Sequence, residues 1–314
     1  MTNKVIVIAG PTASGKTALS VALAQVINGE VVSADSMQVY RGMDIGTAKA
    51  TEEERQGIAH HMLDVADPED AYSAAQYVES AERCCRDIIA RGKVPIIAGG
   101  TGLYIDSLLS PRLFPETDTT RRVRARLQEE YDTLGGEEMH RRLAAIDPLR
   151  AEKLSPNDSR RIIRALEIYE LTGETPTEVE RRERALPPRF ESARIVLNYK
   201  RRADLYARID LRVDNMVNAG LFDEVAALLM RGVDKSSTAM QAIGYKEAAL
   251  ALTGEITREE ATALIKQASR RYAKRQLTWF SRWEDAFWIE WDGAPDLFRA
   301  RQLSTDFISS CGIS

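Results

Sequence analysis

Val5-Ile6-Val7-Ile8-Ala9-Gly10-Pro11-Thr12-Ala13-Ser14-Gly15-Lys16-Thr17 runs from an apolar stretch through a glycine-punctuated loop into a helical pattern, Thr17 to Val26. The apolar stretch reads as a strand buried on both faces, as in a parallel sheet. Residues Gly10, Pro11, Thr12, Ala13, Ser14, Gly15, Lys16 and Thr17 fit G-x-x-x-x-G-K-[ST] in the strand–loop–helix setting that this motif requires. The glycines let backbone N–H groups converge on phosphate oxygens, and the helix N-terminus adds favourable partial charge. Lys16 supplies a mobile cation, and the Thr17 hydroxyl is the candidate ligand for Mg²⁺. The loop identifies a phosphate, not a nucleotide. No N-K-x-D guanine-reading motif accompanies it, and the third strand ends at Gly99-Gly100-Thr101-Gly102 instead of at a magnesium-binding aspartate.

Working outward, Val31-Val32-Ser33 and Lys93 to Ala98 read as further strands, with a helix from Ser73 to Arg91 between them. From about Pro111 to Phe190 strand-like runs vanish and the chain becomes Arg- and Glu-rich with helical spacing. A strand returns at Arg194 to Tyr199, and helices follow over Ala203–Ala219, Phe222–Arg231, Ala242–Leu252 and Arg258–Trp283. The pattern predicts an α/β fold, a P-loop NTPase-like parallel sheet core flanked by helices, with an all-helical insertion domain. The core takes residues 1–112 and 193–314, and the insertion residues 113–192.

With 314 residues, 44% hydrophobic and 29% charged, the chain has the composition of an ordinary globular protein, which excludes disorder and disulfide miniproteins. No run is long enough to span a membrane, and Val5 to Gly10 is too short for a signal-peptide core, so a cytoplasmic protein is expected. The net charge of −4 argues against a protein that coats nucleic acid but is silent on local patches. Cys84, Cys85 and Cys311 form no C-x-x-C pair and read as reduced thiols. The adjacent His60 and His61 are poorly placed to share one ion.

Asp35 follows the second strand and Thr101 the third. In an open parallel sheet the carboxyl ends of the strands line the ligand crevice, which puts both beside the phosphate loop. From position alone, Asp35 is a general base, a magnesium ligand or a helix cap.

The ordered set of Gly10–Thr17, Asp35-Ser36-Met37-Gln38-Val39-Tyr40, Gly42-Met43-Asp44-Ile45-Gly46-Thr47-Ala48-Lys49 and Gly99-Gly100-Thr101-Gly102-Leu103-Tyr104 resembles the tRNA dimethylallyltransferase family, bacterial type. Asn157 to Glu167, Ile243-Gly244-Tyr245 and Lys274 to Trp279 extend the likeness over nearly the whole chain. One departure is Ala50, where the family usually has proline; a changed turn is expected there.

The resemblance implies transfer of a dimethylallyl group from its diphosphate to N6 of the adenosine 3′-adjacent to the anticodon, with Gly10–Thr17 holding the diphosphate. It implies Asp35 as general base, Thr101 holding the same amine, Lys16 and Arg212 on the leaving group, and Mg²⁺ as cofactor. The residues alone leave Arg212 an alternative role, an i,i+4 ion pair on its helix. The resemblance further implies tRNA contacts from Asp35, Ser36, Met37, Gln38, Thr101 and Arg124.

An adenosine in a stacked loop must be turned out to meet a buried donor, so the protein needs phosphate contacts that hold the RNA. Three basic clusters offer them. Arg121, Arg122, Arg124 and Arg126 open the insertion, and Arg160, Arg161 and Arg164 share one helix inside it. Lys266, Arg270, Arg271, Lys274, Arg275 and Arg282 lie on the C-terminal helix, where i,i+4 pairs of like charge call for an anionic partner. Trp279 and Trp283 share that helix and read as core. A monomer is expected. The alternatives are an adenylate isopentenyltransferase, which needs neither insertion nor basic helix, a P-loop kinase, and a nucleotide-switched RNA-binding module.

Overall fold

The computed structural model describes residues 3–112 and 122–313, so Arg121 lies outside the described residues. Two compact units emerge, Met1–Leu109 with Phe190–Ser314, and Ser110–Arg189. In the first unit β1 (Lys4–Ala9) leads into α1 (Lys16–Ile27), β2 (Gly29–Ser33), α2 (Glu52–Arg55), β3 (His60–His61), α3 (Ala74–Ala90), β4 (Val94–Gly99) and α4 (Gly102–Leu109). The second unit holds α5 (Arg122–Leu134), α6 (Gly136–Ile146), α7 (Pro148–Ala151), α8 (Ser159–Thr172) and α9 (Pro176–Arg184). The chain then rejoins the first unit as β5 (Glu191–Tyr199), α10 (Arg202–Asn218), α11 (Leu221–Met230) and α12 (Tyr245–Leu252). It ends with α13 (Arg258–Phe280), β6 (Phe287–Trp291) and α14 (Leu297–Ser310).

The six strands form one parallel sheet in the order β3-β2-β4-β1-β5-β6. Because side chains alternate across a strand, β1 serves two cores at once. Val5, Val7 and Ala9 face a cluster with Tyr77, Ile88 and Ile105 of α3 and α4. Ile6 and Ile8 face Leu19 and Leu23 of α1 and Ile308 of α14. Each such isoleucine, fully buried, contributes about 1.5–3 kcal/mol relative to exposure. This is why the run is continuously apolar rather than alternating.

A third cluster joins Val39, Tyr40 and Met43, just beyond β2, to Leu221, Tyr245, Ala261 and Ile265 of α11, α12 and α13. It ties the residues after Asp35 to the C-terminal helices. The second unit has its own core of Leu127, Met139, Leu143, Ile162 and Leu166. Two strands go beyond the sequence reading. β3 has only two residues, too short for any periodicity, and β6 pairs with β5 at the sheet edge. No helix among the described residues is long and apolar enough to cross a membrane.

Candidate active site

The phosphate loop leaves the carboxyl end of β1 at Gly10, whose φ is +148° and where a Cβ would stand 2.5 Å from the Leu197 carbonyl oxygen. Only glycine fits that approach. Three side chains hold the loop's curve. Lys16 Nζ donates to Pro11 O at 2.7 Å, Trp291 Nε1 to Ser14 O at 2.8 Å, and the Thr12 N–H to Gln276 Oε1 at 2.9 Å. Among the described residues Ser14 Oγ is buried without a hydrogen-bond partner. Thr17 stands exposed on the first turn of α1.

Beside this loop, Asp35 Oδ1 accepts the Met37 N–H at 2.9 Å, leaving Oδ2 without a hydrogen-bond partner among the described residues. No helix starts between Asp35 and α2, so Asp35 closes a turn and caps nothing. The Ser36 N–H donates to Thr101 Oγ1 at 3.0 Å, and the Thr101 N–H donates to Ala34 O at 3.1 Å. The loops after β2 and β4 are thereby fastened together, with the carboxylate and the hydroxyl on adjoining segments.

Electrostatics draws Lys16, Arg212 and Asp35 into one set. Desolvation, reinforced by the Arg212 charge and opposed by Asp35, brings the Lys16 ammonium down to about 7. Burial lowers Arg212 as well, against the pull of Asp35 and Glu54. Arg212 Nη2 donates to Thr47 O at 3.2 Å, and among the described residues it has no ion pair on its own helix. Burial, and after it the Asp35 charge, pushes the Tyr272 hydroxyl up to about 12, with hydrogen bonds to Thr101 and Gln276 acting the other way.

The segment from Gln38 to Lys49 is built as a scaffold. Gln38 Nε2 reaches the Thr47 and Ala48 carbonyls at 3.3 Å each, and its Oε1 accepts from Ser33 Oγ at 3.0 Å. An RNA contact through Gln38 therefore requires an exchange of partners. Lys49, buried, donates to Tyr40 O at 3.0 Å and to Asp64 at 2.6 Å, and also pairs with Asp44. The Glu224 carboxylate accepts the N–H groups of Asp44, Ile45 and Gly46 at 2.8, 2.7 and 3.0 Å. At the departure from the family pattern, the Ala50 carbonyl accepts from Arg55 Nε at 3.0 Å, and Thr51 then caps α2.

α13 ends at Phe280, short of the expected Trp283, which leaves Arg282 in the turn after it, and the expected six-residue basic ridge divides. Lys266 pairs with Asp214 at 2.6 Å and Arg270 with Asp210 at 2.5 Å, both carboxylates on α10. That corrects the sequence reading, in which carboxylates three helices earlier in the chain were invisible. Arg271, Lys274, Arg275 and Arg282 remain, lining a cavity of about 530 Å³ with Thr278 and Trp279. The Arg282 guanidinium lies 5.5 Å from the Trp279 ring, and Arg275 lies 5.4 Å from Tyr272. Trp279 and Trp283 donate to the two oxygens of Asp106 at 2.7 and 2.9 Å, docking α13 on α4. Trp283 is core, while Trp279 also faces the groove.

In the second unit Arg124 and Arg164 converge on buried Glu167 at 2.9 and 2.7 Å, and Arg126 pairs with Glu130 and Glu170. Arg161 pairs with Asp158. Arg122 and Arg160 are exposed and carry no ion pair among the described residues. Arg160 is thus the freest of the three basic side chains expected on α8.

Sequence reasoning gave Gln276, Tyr272, Glu224 and Trp291 no role in the site. Gln276 carried a usable signal: a polar residue on the buried stripe Ala273, Gln276, Phe280 of α13. Among the described residues no three His, Cys, Asp or Glu side chains gather to hold a metal, and His61 instead meets Glu30 at 2.7 Å.

Against known proteins, the family model described as IPP transferase matches residues 38–283. A tRNA dimethylallyltransferase of Carboxydothermus hydrogenoformans is 47% identical, with 100% of this chain and 99% of the relative covered. One from Thermoanaerobacter sp. (strain X514) is 45% identical, covering 98% and 97%. A crystal structure of a tRNA delta(2)-isopentenylpyrophosphate transferase from Staphylococcus epidermidis aligns with TM-score 0.72 at 42% identity, covering 98% of this chain and 99% of that one. A eukaryotic dimethylallyltransferase acting on tRNA aligns with TM-score 0.82 at 34% identity, covering 98% and 80%.

Proposed function

The chain belongs to the IPP transferase family, and on that premise we propose that it moves a dimethylallyl group from dimethylallyl diphosphate to tRNA. The acceptor is N6 of the adenosine 3′-adjacent to the anticodon, and diphosphate is released. The observation that carries this reading is the meeting of a phosphate loop, two cations and one carboxylate with an open oxygen at the carboxyl ends of parallel strands.

An exocyclic aromatic amine is a weak nucleophile, so removing its proton as the C–N bond forms lowers the barrier. Asp35 Oδ2 takes that proton, while Thr101 Oγ1 holds the amine in line. The C–O bond to diphosphate breaks as the N–C bond forms. The leaving oxygens gain negative charge, which the loop amides, Lys16 and Arg212 neutralise. A bound diphosphate raises Lys16 again, so the ammonium keeps its proton in the complex.

Thr17 suits Mg²⁺ because it is an exposed hydroxyl-bearing residue on the first turn of α1, and magnesium favours few protein ligands alongside substrate phosphates. The ion would supply further charge neutralisation on the leaving diphosphate. The groove of Arg271, Lys274, Arg275 and Arg282 suits an RNA backbone, and Arg160 offers the second unit a phosphate contact of its own. A monomer suffices, since Lys16, Asp35, Thr101 and Arg212 all belong to one unit of one chain. Labelled dimethylallyl diphosphate incubated with bulk tRNA or with AMP tests the proposal. Label in tRNA alone supports it, and label in AMP alone overturns it in favour of a small-molecule prenyltransferase.

A further inference from the structure

We propose that Gln276 is a positioning residue that sets the distance between the donor loop and the acceptor threonine; this rests on the transfer reading above. Gln276 sits on α13, almost wholly buried, and its amide is used at both ends. Oε1 accepts the Thr12 N–H of the phosphate loop at 2.9 Å. Nε2 donates to Gly100 O at 3.0 Å, one residue before Thr101. A flipped amide would set donor against donor and acceptor against acceptor, so only one orientation satisfies both loops.

The fit is close. A Cβ on Gly100 would stand 2.1 Å from Gln276 Nε2, so glycine at 100 is what lets the side chain reach the carbonyl. With the Thr12 amide taken by Gln276, that N–H fixes the loop's curve while the loop's other amides serve the phosphate. One side chain thus spans from the segment that holds the leaving group to the segment that holds the nucleophile. In an in-line displacement this spacing sets how often the amine and the donor carbon meet at reactive distance. Its loss should fall on turnover more than on the binding of either substrate.

Gln276→Met keeps length and apolar packing but loses the hydrogen bonds to both loops, and with them the contact to the Tyr272 hydroxyl. Its kcat should fall about 10- to 100-fold, while KM for each substrate moves less than about threefold. Gly100→Ala perturbs the same contact from the opposite side, with Gln276 itself intact, and should reproduce the defect. Gln276→Glu keeps the bond to Thr12 but sets an oxygen against the Gly100 carbonyl and a negative charge near the diphosphate. It should also raise KM for the donor.

Thermal melting is measured alongside. A lower melting temperature with wild-type kcat per folded molecule would make Gln276 a structural brace and overturn the assignment. So would wild-type turnover in Gly100→Ala, which keeps the test open if Gln276→Met does not fold. Wild-type protein that moved no label to tRNA would refute the transfer reading itself, a result distinct from an active enzyme indifferent to Gln276.

Discussion

Raising the pH should weaken donor binding, and Lys16 sets the size of the effect. Desolvation and the Arg212 charge lower the Lys16 ammonium from 10.5 to about 7, so it loses its proton within an ordinary assay range. The diphosphate prefers the protonated form, and affinity therefore scales with the protonated fraction above that value. Between pH 7.5 and 9 that fraction drops about 25-fold for a group titrating near 7, and the dissociation constant should rise by the same factor. The donor's own last ionisation, near pKa ~6 for a phosphate monoester, is largely complete across this window and adds little slope. The assay is calorimetric titration of dimethylallyl diphosphate without tRNA, in buffers of differing ionisation enthalpy. Proton uptake should approach one per binding event at the alkaline end. Lys16→Arg, which stays charged, should bind with a flat pH profile. Asp35→Asn removes the carboxylate that raises Lys16 and should shift the profile to lower pH; Arg212→Gln should shift it upward. A dissociation constant unchanged from pH 7.5 to 9 in the wild type would refute the reasoning.

Asp35→Ala should slow prenyl transfer by ~10²–10⁴-fold with little change in tRNA affinity, and single-turnover transfer measured beside filter binding checks this. The folded double variant Arg271→Glu/Arg275→Glu should bind tRNA more weakly and with a flatter salt dependence, read from titrations at several ionic strengths, while donor affinity holds. Chelating divalent metal should abolish transfer, and the reaction should proceed without ATP because the donor carries its own leaving group; rate measurements with EDTA and without nucleotide decide both.

The parallel sheet and the placing of Asp35 and Thr101 were legible because two local signals coincide. Strands buried on both faces read as unbroken apolar runs, and the segments after them must gather at one end of the sheet. Arg212 was reached through family likeness, since nothing in its helical neighbourhood separates a phosphate ligand from an i,i+4 ion pair. In the structure its guanidinium meets Thr47 O and its charge acts on Lys16. What stayed hidden depends on contacts between distant segments. Asp210 and Asp214 withdraw Arg270 and Lys266 from the basic ridge, yet they lie on another helix. Gln276 meets Thr12 across 264 residues of chain, and Glu224 reaches the Asp44 amide across 180. No periodicity reports such pairings. β6 was missed for a different reason: its Phe-Trp-Ile-Glu-Trp is a short edge strand that begins only a few residues after an aromatic-rich helix end.

The central claim is that the exocyclic amine presented to Asp35 attacks a donor held by the phosphate loop. Two anticodon stem-loops test it, one with adenosine at the position 3′ of the anticodon and one with purine riboside there, lacking only the N6 amine. Diphosphate release and nucleoside mass are followed together. The account predicts one diphosphate released per prenylated adenosine with the first stem-loop, and neither product with the second. Stoichiometric prenylation of the purine riboside stem-loop, or label on any other nucleotide of the first, would contradict it.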